Sequence, residues 1–250
     1  MAGHNKWSKI KRTKSVLDAK RGKIFSKLSK EITVATKLGG PDPNSNTRLR
    51  SAILAAKAEN MPGDNVERAI KKGTGELQGE AIEEIVYEGY APGGVAVMIE
   101  AATDNRNRAA ADLRAIFSKH HGSLATTGSV SYMFHRKGRI AVSLDRISED
   151  ALLEMLLDAE VDELMIEEEH HVILTPPAAL YQVAEILKAQ SIEPDSVALI
   201  YHPETHVSVT DAQVAAQILR LLEALEDDDD VQNVYSNVDL SDDLLASAVS

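Results

Sequence analysis

The side chains of this chain best suited to chemistry are cations. Lys6, Lys9, Lys11, Arg12 and Lys14 follow one another with no acid among them, and Trp7 is interleaved. Ammonium and guanidinium groups neutralise phosphates and an indole offers a face for base stacking, so this is the pattern of a polyanion-binding arm. Lys20, Lys23, Lys27, Lys30 and Lys37 then recur at spacings of three, four or seven residues, which aligns them on one face of a helix. Ile24, Leu28, Ile32 and Ala35 recur beside them, giving one helix an apolar stripe next to a lysine stripe. Arg21 falls within the apolar arc, so either the helix starts after Gly22 or Arg21 snorkels to the edge. Lysines alone are equally the mark of a solvated face; the acid-free segment ahead of them favours nucleic acid.

Other candidates carry less. Arg106 and Arg108 sit in the first turn of a helix capped by Thr103-Asp104-Asn105, where the helix dipole opposes a cation by about 0.3–1 kcal/mol. Either acids of a neighbouring domain pair with them, or they join the backbone amides in holding a phosphate. The pairs His120-His121 and His170-His171 point their rings apart on a helix or a strand, so neither chelates as a unit and no metal is expected. Glu226 to Asp230 reads as a solvated acidic loop, with occupation of the basic arm in the absence of nucleic acid as the alternative. Ser123, Ser129 and His121 lack a nucleophile elbow and an acid partner, so no catalytic residue is expected. Nor is a cofactor or a small-molecule substrate.

The charge is sharply divided. Residues 1–72 hold 17 Lys and Arg against 6 Asp and Glu, in a chain whose net charge is −12. Such asymmetry is the sequence sign of a polyanion-binding segment joined to a body with another task. Cysteine is absent, which excludes disulfides, thiol catalysis and cysteine-ligated zinc and fits a reducing, cytoplasmic setting. Apolar runs are far shorter than the roughly 18 residues that cross a bilayer. The basic N-terminus lacks a signal-peptide apolar core and is expected to belong to the mature protein.

Positioning these residues calls for three short-linked helices. The first ends at Gly39-Gly40-Pro41, the second spans Thr47 to Glu59, and the third opens on an Asp64–Glu67 capping box and closes at Gly73. From Ile82 the period turns to strands. A hairpin pairs Ile82 to Glu88 with Val95 to Ala102, a helix holds Leu113, Ile116 and Phe117, and a strand covers Val130 to Phe134. A βαββαβ pattern follows, with strands 139–144, 161–166, 172–175 and 196–201 and helices 149–159 and 178–190, the ferredoxin-like order. After Pro203 come strand 207–209, a helix with Val214, Ile218, Leu221, Leu222 and Leu225, and strand 231–235, which need a sheet to join. The expected fold is therefore α+β in three domains. They are a basic helical domain over 1–78, a discontinuous α/β domain over 79–136 and 203–250, and a ferredoxin-like insertion over 137–202. Strand 231–235 should pair with strand 95–102.

Several motifs resemble the YebC/PmpR family. They are the Met-Ala-Gly-His start with Lys6-Trp7, Asp18-Ala-Lys-Arg-Gly-Lys-Ile-Phe25, Leu38-Gly-Gly40 with Asp42-Pro43, and Asn60-Met-Pro62. Tyr87-Glu-Gly-Tyr90 with Pro92-Gly-Gly94, Thr103-Asp-Asn-Arg-Asn-Arg108, Gly128-Ser-Val130 and Asp230-Val-Gln-Asn-Val-Tyr235 extend the resemblance along the whole chain. The resemblance implies a helical domain followed by two α/β domains and no enzymatic activity. Bacterial members are described as DNA-binding transcriptional regulators. Relatives that include a mitochondrial translational activator are associated instead with the ribosome, with ribosomal RNA or mRNA, and with translation of proline-rich stretches. One local departure is His121-Gly122, where similar proteins tend to carry Gly-Gly.

Overall fold

The computed structural model describes residues 17–77, 81–167, 169–241 and 244–245, with side chains in the first helix from Gly22 onward. Lys6, Trp7, Lys9, Lys11, Arg12 and Lys14, and the side chains of Lys20 and Arg21, lie outside the described residues. The fold is α+β. Its elements in chain order are α1 (Leu17–Gly39), α2 (Thr47–Ala58), α3 (Gly63–Thr74), β1 (Glu83–Tyr90), β2 (Ala96–Thr103), α4 (Arg106–Lys119) and β3 (Ser123–Leu124). Then come β4 (Phe134–Ser143), α5 (Glu149–Met155), β5 (Glu163–Glu167), β6 (His170–Thr175), α6 (Leu180–Ala189) and β7 (Ser196–Pro203). The last are β8 (Val207–Val209), α7 (Ala212–Glu226), β9 (Val231–Ser236) and β10 (Val238–Leu240). No described helix is long and apolar enough to cross a membrane.

The three leading helices bury Ile32, Ala35, Leu49, Ala52, Ala56, Met61 and Ala69 against one another. Because α1 begins at Leu17, a helix start after Gly22 does not occur. Asn46 joins α1 to α2: its Nδ2 donates to Ala35 O and Gly40 O while its Oδ1 caps α2 at Leu49 N. The expected capping box of α3 is not formed. Pro62 is the N-cap, which leaves Asp64 inside the first turn with no boundary amide to accept. Gly75, at φ 82°, ends α3 in place of Gly73. Gly73 lies within the helix, where a Cβ would stand 2.6 Å from Thr33 O, so its lack of a side chain lets α1 and α3 approach.

Tyr132–His206 is a compact unit of its own, and the strands outside it form a four-stranded sheet and a separate parallel pair of β8 with β10. In the larger unit the order is β3-β1-β2-β9. β9 runs antiparallel to β2 with Met98 opposite Tyr235 and Ile99 opposite Val234, the pairing expected from sequence. α4 and α7 supply Leu113, Phe117, Ile218, Leu221 and Leu222 to the core over this sheet. The leading helices belong to the same compact unit. The strand expected over Val130–Phe134 is replaced by a short 3-10 turn, Ser131–Met133. The physical reason is Glu88, whose buried carboxylate accepts the amides of Gly128, Val130 and Ser131, groups that a strand would have needed for its ladder. Phe134 instead opens β4.

In the Tyr132–His206 unit the order β5-β6-β4-β7 is fully antiparallel, and α5 and α6 bury Leu152, Leu180, Val183 and Leu187 against Ile140, Val142 and Ile173. This is the ferredoxin-like arrangement. α5 stops at Met155, shorter than its apolar pattern suggested.

Candidate nucleic-acid interface

The described part of the lysine stripe is already engaged. α7 ends at Glu226, so its last carbonyls have no partners within the helix and carry the negative pole of its dipole. Three ammonium groups from successive turns of α1 meet this helix end and the loop just beyond it. Lys23 Nζ donates to Asp227 O at 2.8 Å, Lys27 Nζ to Glu226 O at 2.5 Å and Lys30 Nζ to Asp229 O at 2.7 Å. Lys37, two turns past the cluster, reaches Ile82 O at 3.3 Å. The spacing read as a phosphate-binding face thus caps a helix of the same chain. Burial, the dominant influence on Lys27, lowers its pKa although Glu226 and Asp227 to Asp229 pull the other way.

Asp230 completes the junction. Its Oδ1 accepts Lys30 Nζ at 2.5 Å, and its Oδ2 accepts Thr103 Oγ1 at 2.9 Å and Arg108 Nη2 at 3.0 Å. Its carbonyl accepts Ala102 N, which fixes β9 beside β2. Burial alone would raise the Asp230 pKa, but Lys30, Arg108 and Thr103 outweigh it and hold the carboxyl below its ordinary value. Asp228, largely desolvated, is pushed up instead. The Glu226–Asp230 segment is therefore not a purely solvated loop, although Asp227 and Asp229 are exposed. A second clamp ties α2 to α1 and β1: Arg48 pairs with Glu31 and Glu84 at 2.7 and 2.5 Å.

Arg108 is paired, with Asp104 at 2.9 Å and with Asp230, but these are acids of its own unit and not of a neighbouring domain. Arg106, 70% exposed, makes only a loose pair with Glu83 at 3.8 Å, while Arg108 is 50% exposed with its partners at 2.9 and 3.0 Å. His171 is buried and its Nε2 meets Ile147 O, whereas His170 faces Asp195. The structure therefore brings Lys30 and Arg108 together on Asp230, seats Lys23 and Lys27 on the neighbouring carbonyls of Asp227 and Glu226, and leaves Arg106 apart. Sequence reasoning missed Asp230 as the organising acid, although it opens one of the motifs quoted above. It also missed Glu88, which nothing in a hydropathy pattern distinguishes from a surface acid.

Comparison with known proteins gives a consistent result. The model of the TACO1/YebC protein N-terminal domain matches residues 5–76, and that of the TACO1/YebC second and third domain matches residues 82–238. A protein of Desulfotalea psychrophila is 53% identical over 245 residues, covering 98% of each chain. One of Geobacter sulfurreducens is 53% identical over 241 residues, covering 96% of this chain and 97% of its own. Both are named "Probable transcriptional regulatory protein". The crystal structure of a conserved hypothetical protein from Aquifex aeolicus superposes with a TM-score of 0.83 at 49% identity, covering 90% of this chain and 93% of that one. Matched by both domain models and by relatives half identical along its length, the chain belongs to the TACO1/YebC family.

Proposed function

We propose that this protein is a non-enzymatic, nucleic-acid-binding regulator of gene expression, working in the cytoplasm and gripping the phosphate backbone through its basic N-terminal arm. The observation that carries the reading is the excess of 17 cations over 6 acids in residues 1–72 of a chain with net charge −12. Lys23, Lys27 and Lys30 are held by the end of α7, so the contacts fall to Lys6, Trp7, Lys9, Lys11, Arg12, Lys14, Lys20 and Arg21, with exposed Arg106 as an outlying cation. Relatives named as transcriptional regulators support DNA as the target. The arm is rich in lysine and poor in the bidentate side chains that read base edges, so weak sequence preference is expected.

The same composition favours a second reading, in which the arm tracks phosphates of ribosomal RNA or mRNA and the protein acts in translation on the ribosome, while the acidic body limits non-specific adhesion. In-cell crosslinking of the tagged full chain, followed by sequencing of the attached nucleic acid, separates the two. Discrete promoter peaks support the DNA reading. Enrichment of ribosomal RNA that is lost on deleting residues 1–15 overturns it in favour of RNA.

A further inference from the structure

A cleft of about 270 Å³ opens between the end of α4 and the middle of α7, lined by Lys119, His120, His121, Gln217 and Arg220. No acid lines it. Among the described residues none of the four basic side chains forms an ion pair. The simplest alternative is that Lys119 and His120 merely serve the α4 terminus, since cations suit a helix C-terminus. Two of the terminal carbonyls already accept backbone amides: His120 N donates to Ile116 O and Phe117 O, and Gly122 N to Phe117 O. Arg220, in the interior of α7, has no such explanation. His121 is held at φ 61°, a left-handed conformation that glycine adopts without strain. Asn60 and Ser191 share it at other helix ends, so the backbone alone marks nothing; what sets His121 apart is that its side chain adds to the cleft. Burial first, then the neighbouring charges of Lys119, His121 and Arg220, lower the His120 pKa, while Glu223 of α7 acts in the opposite sense. A bound anion would relieve this mutual repulsion.

The size of the cleft decides what kind of anion. Small-molecule pockets usually exceed about 300 Å³ and are largely apolar with aromatic walls. This cleft is smaller and lined by basic side chains and one amide rather than by apolar walls, so it suits a single phosphate group rather than a whole nucleotide. We propose that Lys119, His120, His121, Gln217 and Arg220 form a second contact point for one backbone phosphate of the bound nucleic acid, separate from the N-terminal arm. This rests on the nucleic-acid reading above.

The test compares full-length wild type, a Lys119→Gln/Arg220→Gln variant, His121→Gly, and a Lys9→Gln/Lys11→Gln/Arg12→Gln arm variant. Each is titrated with a fluorescent oligonucleotide duplex across a salt series, and the histidine ring signals are followed by NMR. Neutralising the cleft should flatten the log affinity against log salt slope by about 0.9 per phosphate lost, additively with the arm variant. His121→Gly relieves a strained backbone, so it should raise the thermal midpoint while weakening binding several-fold, a combination that unfolding cannot produce. Oligonucleotide should shift the His120 and His121 signals, and the His120 response should grow with acidification, because a bound phosphate favours the charged imidazole that burial and neighbouring cations oppose. Unchanged slope and unshifted histidines, with the arm variant still impaired, would overturn the cleft and leave the nucleic-acid reading standing. Histidines that respond to inorganic phosphate but not to oligonucleotide would overturn the backbone assignment. A wild type that binds no oligonucleotide at any salt would overturn the underlying reading.

Discussion

Lys30 Nζ lies 2.5 Å from Asp230 Oδ1, a contact between residues 200 positions apart that joins the first helix to the start of the last long strand. Asp230 also receives Arg108 and Thr103, so one carboxylate holds α1, β2, α4 and β9 in register. Asp230→Asn keeps the shape and loses the charge. It should destabilise the larger unit by about 2 kcal/mol, the scale of charge-assisted hydrogen bonds. Amide hydrogen exchange should accelerate in α1 and β9 while the Tyr132–His206 unit keeps its protection; equal protection in α1 would deny Asp230 this role.

Glu88 predicts the acid behaviour of the same unit. Burial would raise its pKa, but three backbone amides from Gly128, Val130 and Ser131 outweigh that and depress it below the ordinary 4.5. A depressed carboxyl stabilises the fold above the unfolded pKa, and that contribution is lost as pH falls through the folded value. Glu88→Gln should therefore cost about 2 kcal/mol at neutral pH. The gap from wild type should close in acid, below the ordinary value of 4.5. Denaturation curves at a series of pH values measure it, and a gap independent of pH would contradict the assignment.

The apolar periods of α1, α4 and α7 were legible because each buries one face against a core, whereas β2, buried along nearly its whole length, shows no alternation and was marked by the turn cluster that bounds it. The pairing of β9 with β2 was legible too, since the βαβ segment left after a complete ferredoxin-like unit needed a sheet to join, although its other strand, β8, pairs with β10 instead. What sequence could not supply was the destination of the polar groups. The stripe of Lys23, Lys27 and Lys30 has the same spacing whether it faces phosphate or the carbonyls of α7. A two-residue strand such as β3 is too short to show any period. Gly73 looks like a cap in sequence because its real constraint, the proximity of Thr33, lies on another helix.

That proximity gives a contrast between two glycines. Gly73→Ala would drive a Cβ to 2.6 Å from Thr33 O and into Thr36, and overpacking of this kind costs about 1–3 kcal/mol. Gly22→Ala meets nothing within 4 Å on an exposed part of α1 and should stabilise the helix by about 0.5–1 kcal/mol. Paired urea midpoints check the signs. A tolerated Gly73→Ala would mean that α1 and α3 separate easily.

The last prediction divides the cations of residues 1–72 by what they already touch. A lysine that caps α7 adds nothing to counterion release unless it first leaves its carbonyl, and partly buried Lys27 and Lys30 would have to abandon Glu226, Asp229 and Asp230 to do so. If about five arm cations meet phosphates, the slope of log affinity against log salt should be near −4.5 for duplex and −3.5 for single strands. Replacing Lys6, Lys9, Lys11, Arg12 and Lys14 with Gln should flatten most of that slope. Lys27→Gln with Lys30→Gln should lower stability and leave the slope nearly intact. Should the second variant instead flatten the slope as strongly as the first, nucleic acid must pull α1 away from α7, and the junction at Asp230 would be a competitor for the ligand rather than a fixed joint.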